Sequence, residues 1–240
     1  MQLKDKVVVI TGAGRGIGKA IALSYAAHGV CVVCAARTVT EIERVAQQIK
    51  ESGGKAIAVP TDVTNLESVQ RLFKRTHDTF GAVDLLVINA GVNKDRKLVE
   101  AGDPHNWADT IQVNLIGAYY CAHSAIPYMK TQGGKIITIG SGVGHKGRPG
   151  SSAYACSKAG LWMMTRVLAQ ELWKYDISVN ELIPGPVHTS MDNDEQSSVF
   201  SIDGEWVKEP EDVTPMALFL AQQPDIGPTA QSFSLMRRDC

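Results

Sequence analysis

The sequence of 240 residues lacks the features that mark membrane-spanning, secreted or nucleic-acid-binding proteins. No apolar run approaches the ~20 residues that a membrane span needs, and the charged residues 1–6 do not resemble a targeting signal. A formal net charge of −1 offers no excess of positive charge for nucleic acid or for an anionic membrane. We therefore expect a cytoplasmic protein that acts on a small molecule.

Cysteine is also scarce. Five cysteines, an odd number, do not form a disulfide framework in a chain of this length, which favours a reducing compartment. Cys31 and Cys34 form a C-x-x-C, but they fall within a predicted strand, where residues three apart point to opposite faces. We predict that both thiols pack in the core and that the protein uses no metal.

Strand and helix patterns alternate along the whole chain, which is long enough for one large domain over residues 1–240. The predicted strands are 7–11, 30–35, 56–61, 85–89, 135–140, 178–183 and a last one near 232–235. The predicted helices are 16–28, 39–52, 66–80, 106–129, 153–175 and 210–221. This alternation predicts an α/β fold, a single doubly wound Rossmann domain whose seven-stranded parallel sheet has the order 3-2-1-4-5-6-7 and carries helices on both faces.

A glycine-rich corner joins the first predicted strand to the first predicted helix. Residues 7–10 are apolar and mostly β-branched, as in a strand buried on both faces, and Gly12, Gly16 and Gly18 follow. Glycines allow a tight turn and a close approach of phosphate, while the unpaired amides of the helix start supply donors. The dinucleotide pattern G-x-G-x-x-G would need glycine at position 17, where Ile17 stands.

The motif that does fit, Thr11-Gly12-x-x-x-Gly16-x-Gly18, resembles the cofactor motif of the short-chain dehydrogenase/reductase family, in particular its 3-oxoacyl reductases. The resemblance covers nearly the whole chain. It continues through Asn89-Ala90-Gly91, Asn114, Ser141, Tyr154-x-x-x-Lys158 and residues 184–189 in the family's order. It implies a nicotinamide cofactor and an oxidoreductase.

The end of the second strand bears on the choice of cofactor. An acidic residue there binds the ribose of NAD, but this chain has Arg37, and Arg15 in the glycine corner can reach the same place. Two guanidinium groups favour NADP(H) over NAD(H) because they match phosphate oxygens. The alternative is that both arginines are solvated, since NAD-using relatives also carry an arginine in this loop. The predicted cofactor-binding residues are Gly12, Arg15, Gly16, Ile17, Gly18, Arg37, Asp62, Val63, Asn89, Ala90, Gly91, Tyr154, Lys158, Val187 and Thr189.

Several of these roles come from the resemblance alone. It implies that Asp62 and Val63 contact the adenine, although Asp62 equally suits a cap for the helix beginning near Asn65. It implies that Val187 and Thr189 hold the nicotinamide carboxamide.

Tyr154 and Lys158 are four residues apart in a predicted helix, which places the phenol and the amine on one face. Tyrosine has a reference pKa near 10, and lowering a pKa by about 3 units takes roughly 4 kcal/mol, which a neighbouring cation can supply. The resemblance implies that Tyr154 is the general acid or base and that Ser141 hydrogen-bonds the substrate oxygen. It implies that Lys158 holds the nicotinamide ribose and that Asn114 places a water beside Lys158.

The substrate is less determined. The predicted lining combines apolar and imidazole groups and suits many small carbonyl compounds or alcohols. Its members are Ser141, Val143, His145, Pro149, Tyr154, Pro186, His188, Met191 and Trp206. The leading prediction is an NADP(H)-dependent reductase of 3-oxoacyl thioesters, ketosugars or steroid-like ketones. The alternatives are an NAD-dependent alcohol or polyol dehydrogenase and a non-catalytic dinucleotide-sensing protein.

Two departures from the family concern the C-terminal part. Residues 190–209 are fewer than many relatives use for the helical lid over the substrate, so we expect a short, polar flap that Trp206 and Val207 anchor on the core. Ala230 stands where relatives place glycine. The predicted helices 106–129 and 153–175 also carry apolar residues beyond one core face: Trp162, Met163, Met164 and Leu168 are examples, and they suggest subunit packing. The resemblance implies a homodimer or homotetramer.

Overall fold

The computed structural model describes residues 3–189 and 204–237. Seven parallel strands form one sheet with the order β3-β2-β1-β4-β5-β6-β7, which confirms the predicted topology. The strands are β1 (Val7–Thr11), β2 (Cys31–Ala36), β3 (Ala56–Pro60), β4 (Leu85–Ile88), β5 (Gly134–Ile139), β6 (Ile177–Ile183) and β7 (Ser232–Ser234).

Helices cover both faces of this sheet. They are α1 (Gly16–Ala27), α2 (Val39–Glu51), α3 (Leu66–Phe80), α4 (Pro104–Ile111), α5 (Gly117–Met129), α6 (Gly142–Lys146), α7 (Ser152–Leu172) and α8 (Thr214–Gln222). One hydrophobic cluster joins α1, α2 and α8 to the sheet, and a second joins α3, α5 and α7 to its other face. No described helix combines the length and the apolar character that a bilayer span requires.

The strands are apolar on both sides because each side meets a layer of helices. Val8 and Ile10 belong to one cluster, whereas Val9 between them belongs to the other. Cys31 and Cys34 are both buried in β2. Burial raises the pKa of the Cys34 thiol to about 12, so this thiol stays protonated in the core.

Two helical segments differ from the sequence prediction. The helix predicted over 106–129 consists of α4, a π-helical turn (Gln112–Ile116) and α5, and the turn contains Asn114. A π turn adds a residue without ending the helix, so the apolar pattern hides it. The short helix α6 was not predicted, because its five residues, two of them glycine, are too few to display a helical period.

The predicted flap is described only in part. Residues 190–203, including Met191, lie outside the described residues. Beyond them, Lys208 pairs with Val187 and exchanges backbone hydrogen bonds of 2.8 and 3.0 Å with His188 and Pro186. Lys208 is fully buried, whereas Trp206 is 54% exposed. Of the two predicted anchors, Trp206 is therefore wrong and Val207 is only partly buried, whereas Lys208 forms the anchor.

Ala230 adopts the left-handed conformation that the family's glycine would favour. Its φ is +59°, and its amide donates to the carbonyl oxygen of Val179 at 2.9 Å. An L-residue in this region costs about 1–2 kcal/mol relative to its ordinary conformations. The backbone thus keeps its path at this position despite the added methyl group.

Candidate active site

A cleft of about 1420 Å³ opens at the carboxyl ends of β1 to β6. This volume exceeds the roughly 300–1,000 Å³ of pockets that hold one small ligand. Parallel sheets bind their ligands at this edge. The cleft therefore has room for a dinucleotide and a second molecule.

The glycine corner forms one wall of the cleft through Gly12, Arg15, Gly16 and Ile17. Gly12 and Gly16 have φ values of +67° and +53°, which side chains rarely adopt. Arg15 is the N-cap residue of α1, and its side chain makes no capping hydrogen bond. The first amides of α1 therefore receive no hydrogen-bond acceptor from the N-cap side chain and are placed to bind an anion, which fits the pyrophosphate of a dinucleotide.

Gly18 lies behind this wall and not on the cleft surface. A Cβ at Gly18 would overlap the carbonyl oxygen of Gly12 and lie 2.5 Å from Asn89 Nδ2. Asn89 Nδ2 donates to the carbonyl oxygens of Thr11 and Gly12 at 2.9 and 3.2 Å. Thr11 Oγ1 in turn accepts from the amides of Asn89 and Ala90 at 3.0 and 3.1 Å. The glycine corner is thus held against the end of β4, where Ala90 and Gly91 line the cleft.

Charged side chains line the cleft at the end of β2. Arg15 and Arg37 both lie there, and so does Glu41 in the first turn of α2, which the sequence analysis missed. A Cβ at Gly14 would lie 2.7 Å from Glu41 Oε2, so this carboxylate packs against the glycine corner. In the sequence, the only signal for Glu41 is its position four residues after Arg37.

Asp62 and Val63 line the cleft beside these charges. Asp62 Oδ1 accepts from the amide and the hydroxyl of Thr64 at 2.9 and 2.8 Å. The cap of α3 is Asn65, whose Oδ1 accepts from the amide of Ser68 at 2.8 Å. The alternative in which Asp62 caps α3 is therefore wrong, and Asp62 shapes the loop that faces the cleft.

Tyr154 and Lys158 enter the cleft from the first turns of α7. The Lys158 amine lies 5.6 Å from the centroid of the Tyr154 ring and donates to the carbonyl oxygen of Ile139 at 2.7 Å. Burial lowers the pKa of Lys158 to about 8, and the negative charge of Glu181 opposes that shift. Glu181 was not identified from the sequence, because a glutamate in a buried strand matches no motif.

Asn114 lies behind Lys158 and does not reach the cleft surface. Its Oδ1 accepts from the amide of Val92 at 2.8 Å, and its Nδ2 donates to the carbonyl oxygen of Val92 at 2.9 Å and to Ser157 Oγ at 3.0 Å. A Cβ at Gly91 would lie 3.4 Å from Asn114 Oδ1 and 3.8 Å from Lys158 Nζ. The π-helical turn thus positions Asn114 to join α7 to the end of β4.

Ser141 follows β5 and is the N-cap residue of α6, whose Val143 amide donates to Ser141 Oγ at 3.3 Å. A Cβ at Gly144 would lie 2.7 Å from the Cβ of Lys158. This close approach holds α6 against α7. Because Ser141 caps α6, this contact places Ser141 in the same cleft as Tyr154 and Lys158.

The predicted substrate residues divide into two groups. Val143, Pro186 and His188 line the cleft with Val187 and Thr189, whereas His145, Pro149 and Trp206 do not. The prediction for His145 is corrected because its Nε2 lies 2.9 Å from Glu181 Oε2 and its ring packs 4.9 Å from Trp162.

The cleft lining also includes Lys146, Arg148 and Met236, which the sequence analysis missed. A Cβ at Gly142 would lie 2.6 Å from Met236 Sδ, so the C-terminal segment closes one side of the cleft. No motif marks this methionine. Over residues 3–189 and 204–237, no group of three histidine, cysteine or acidic side chains could hold a metal ion.

The comparisons with known proteins agree with this geometry. The short chain dehydrogenase family model matches residues 6–199. A 3-oxoacyl-(acyl-carrier-protein) reductase of Synechocystis sp. is 39% identical over 191 residues, which cover 79% of this chain and 77% of that protein. The reductase FabG of Thermotoga maritima is 32% identical over 237 residues, 96% of each chain.

A solved structure extends the likeness to three dimensions. The 3-ketoacyl-(acyl-carrier-protein) reductase of Brucella melitensis, complexed with NADH, superposes with a TM-score of 0.89 at 28% identity and covers 98% of both chains. The family match spans most of the sequence, and the similar structure spans nearly all of the fold. The chain therefore belongs to the short-chain dehydrogenase/reductase family of oxidoreductases.

Proposed function

We propose that this chain is an NADP(H)-dependent oxidoreductase that interconverts a ketone or aldehyde and an alcohol, with Tyr154 as the acid or base. The observation that carries the proposal is that Tyr154 and Lys158, one helical turn apart, line the same cleft as the glycine corner. A proton donor and a dinucleotide-binding wall thus share one cavity.

The residues along the cleft fit a dinucleotide from end to end. The glycine corner and the first amides of α1 would hold the pyrophosphate. Asp62, Val63, Ala90 and Gly91 would surround the adenosine, and Val187 and Thr189 would hold the nicotinamide. A Cβ at Gly16 would lie 3.4 Å from Thr189 Cγ2, so these two walls face each other closely. When bound, the nicotinamide supplies or accepts a hydride.

The chain's own residues would manage the proton. In reduction, the Tyr154 hydroxyl donates a proton to the carbonyl oxygen while Ser141 Oγ donates a hydrogen bond to the same oxygen. With a pKa of about 8, Lys158 is mostly an ammonium ion at neutral pH. A cation beside a phenol favours its ionised form, so Lys158 makes Tyr154 a better proton donor in reduction and a better base in oxidation.

Replacing Tyr154 tests this assignment. We expect Tyr154→Phe to lower kcat/KM for carbonyl reduction by roughly 10²- to 10⁴-fold, because the variant has no proton to donate. The assay measures NADPH oxidation with 3-oxoacyl thioesters, ketosugars and steroid-like ketones as substrates. Affinity for NADPH, measured by fluorescence, should change little.

Tyr175→Phe, at a tyrosine just beyond α7 and away from the cleft, serves as the matched control. It should retain wild-type turnover. Full activity in Tyr154→Phe would show that the proton comes from another group.

The thioester is the first substrate to test. Two similar proteins bear the name 3-oxoacyl-(acyl-carrier-protein) reductase, and Lys146 and Arg148 add positive charge to the cleft lining. Positive charge at a cleft attracts anionic substrates.

The preference for NADP(H) rests on Arg15 and Arg37, which line the cleft at the end of β2. We expect Arg37→Asp to lower kcat/KM with NADPH at least ~10-fold and to leave the value with NADH nearly unchanged. The physical reason is that a charge-assisted hydrogen bond to phosphate contributes about 1.5–3 kcal/mol. Steady-state kinetics with both cofactors measure the ratio, and an unchanged ratio would refute the role of Arg37.

The second candidate is a dehydrogenase that uses NAD. Glu41 favours it because a carboxylate at this end can accept hydrogen bonds from ribose hydroxyls and repel a phosphate. The similar Brucella melitensis structure also holds NADH. Glu41→Gln distinguishes the candidates: it lowers kcat/KM with NADH if NAD is the cofactor and raises it with NADPH otherwise.

We also propose that the chain assembles into a homodimer or homotetramer. Tyr119 on α5 and Met163 and Val167 on α7 are between 45% and 51% exposed, and large side chains exposed together can mark a contact with another subunit. Three of the residues first considered for this surface serve the single chain instead, and one of them, Met164, packs partly buried against the core. Leu168 is buried in the core, and the Trp162 ring packs against His145.

A further inference from the structure

A buried carboxylate lies directly behind the active-site segment. Glu181 is the fifth residue of β6, and its side chain is only 1% exposed. Its register partners are Thr138 in β5 and Ser232 in β7, so it lies between two strands. Glutamate is rarely buried to this degree unless cationic or polar partners surround it.

The two oxygens of Glu181 have different surroundings. Oε2 accepts from Ser232 Oγ at 2.6 Å and lies 2.9 Å from His145 Nε2. Oε1 is buried and has no hydrogen-bond partner among the described residues. A Cβ at Gly140 would overlap Oε1 and lie 2.5 Å from Cδ, so the chain leaves space at residue 140 for this carboxylate.

Both neighbouring contacts lead to the active site. His145 belongs to α6, the short helix that Ser141 caps. Gly140 lies between Ser141 and Ile139, and the carbonyl oxygen of Ile139 accepts the hydrogen bond from the Lys158 amine. The charge of Glu181 also acts on Lys158 directly, because it raises the pKa that burial lowers.

We propose that Glu181 is a positioning residue: it ties α6 and Ser141 to the sheet through His145, and its negative charge keeps the buried Lys158 in the ammonium form. The proposal deepens the proposed function and rests on it for the kinetic consequence. Among the described residues, the charged or titratable groups that face this carboxylate are His145 from α6 and Lys158 from α7. Tyr154 lies beyond Lys158.

The unpaired Oε1 explains why the negative charge of Glu181 affects the pKa of Lys158. A carboxylate whose two oxygens both accept hydrogen bonds has much of its charge compensated locally. Here one oxygen lacks such a donor in a poorly solvated interior, where charges interact over longer distances than in water. Leaving a buried oxygen unpaired destabilises the fold, and attraction to a nearby ammonium offsets that cost.

The variant Glu181→Gln tests the electrostatic part, because it keeps the shape and the hydrogen-bonding capacity but removes the charge. We measure the titration of Lys158 by NMR of ¹³Cε-labelled lysine in the cofactor-free protein, with Lys158→Met to assign the signal. The pKa of Lys158 should fall by roughly half a unit or more in Glu181→Gln. Glu181→Asp, which keeps the charge, should stay closer to the wild type.

The kinetic measurement uses the same variants. The alkaline limb of kcat/KM for carbonyl reduction should move to lower pH in Glu181→Gln by the same amount as the Lys158 titration. A role limited to stability would lower Tm and leave both titrations in place. His145→Leu tests whether the contact with Glu181 positions α6 and Ser141. This variant should lower kcat severalfold and leave the Lys158 titration nearer to the wild type than Glu181→Gln does.

Asp225→Asn is the matched control, since it removes a partly buried carboxylate that lies in the turn between α8 and β7 and is paired with a strand of the same sheet. Asp225 pairs with Lys135 near the start of β5, at the end opposite Ser141. It should cost stability without moving the Lys158 titration.

An unchanged Lys158 titration in Glu181→Gln would overturn the proposal. Because the NMR measurement needs neither cofactor nor substrate, this outcome is distinguishable from a wild-type protein that turns over no carbonyl compound, which would instead refute the proposed function. If Glu181→Gln does not fold, Gly140→Ala takes its place, because its Cβ displaces the same carboxylate. In that variant, too, the pKa of Lys158 is expected to fall.

Discussion

At the scale of single residues, the site contains a cation that the fold disfavours. Lys158 is 5% exposed, and burial lowers its pKa from 10.5 to about 8. Between these two values, the unfolded chain binds a proton that the folded chain does not bind. The free energy of unfolding therefore rises with pH in this window, and below pH 8 the folded state bears the full cost of burying the charge.

Replacing Lys158 with an apolar residue should raise the free energy of unfolding and lower the turnover. We expect Lys158→Met to raise the free energy of unfolding at pH 7 by at most about 3 kcal/mol, because each pKa unit corresponds to about 1.4 kcal/mol. The variant should also lose the rise in stability above pH 8 and most of its turnover. Urea unfolding of the cofactor-free protein at pH 7 and pH 9.5 measures both effects.

Lys19→Met, at a partly exposed lysine of α1, provides the comparison. It should leave stability and its pH dependence close to those of the wild type. A variant of Lys158 that is less stable than the wild type at pH 7 would contradict the burial cost.

At the scale of elements, close contacts between glycines and their neighbours set the distances within the site. Gly18 brings α1 against the end of β4, and Gly144 brings α6 against α7. The first contact supports the proposed phosphate-binding corner, whereas the second sets the position of Ser141 relative to Lys158. The two contacts should therefore control different steps.

Alanine at these two glycines separates the roles. We expect Gly18→Ala to weaken NADPH binding at least ~10-fold, because the added methyl group displaces the corner and Asn89. Gly144→Ala should lower kcat by a similar factor and change NADPH affinity less than threefold. Isothermal titration and steady-state kinetics give the two values, and each variant controls for the other. Equal losses of affinity in both variants would mean that α6 also supports the cofactor.

Sequence patterns predicted most of these elements but not their irregularities. The apolar runs of β1 and β4 and the 3.6-residue period of α2 and α3 are local signals, so the predicted bounds lie within a residue or two of the structure. The π-helical turn at Gln112–Ile116 was missed because an inserted residue leaves the composition of a helix unchanged. That turn nonetheless decides where Asn114 points.

At the scale of the whole molecule, the exposed side chains of α5 and α7 favour assembly with further copies of this chain. We expect the protein to behave as a dimer or tetramer in size-exclusion chromatography with light scattering. The double variant Met163→Glu/Val167→Glu should reduce the measured mass, because charges would replace apolar side chains in the proposed contact. Val99→Glu, at a residue 79% exposed outside α5 and α7, is the control and should keep the wild-type mass. A wild-type monomer would refute the proposal.

Local sequence patterns were enough to predict the parallel sheet, its strand order, the glycine corner and the pairing of Tyr154 with Lys158. Each depends on spacing within one element or on the right-handed rule for successive crossovers, and both are properties of short stretches of chain. The folded chain was needed to show that His145 contacts Glu181, that Met236 closes one side of the cleft and that Lys208, not Trp206, anchors the segment after residue 203. Those contacts join residues far apart in the chain, where packing and the need to pair buried polar groups choose the partner, and no local pattern records that choice.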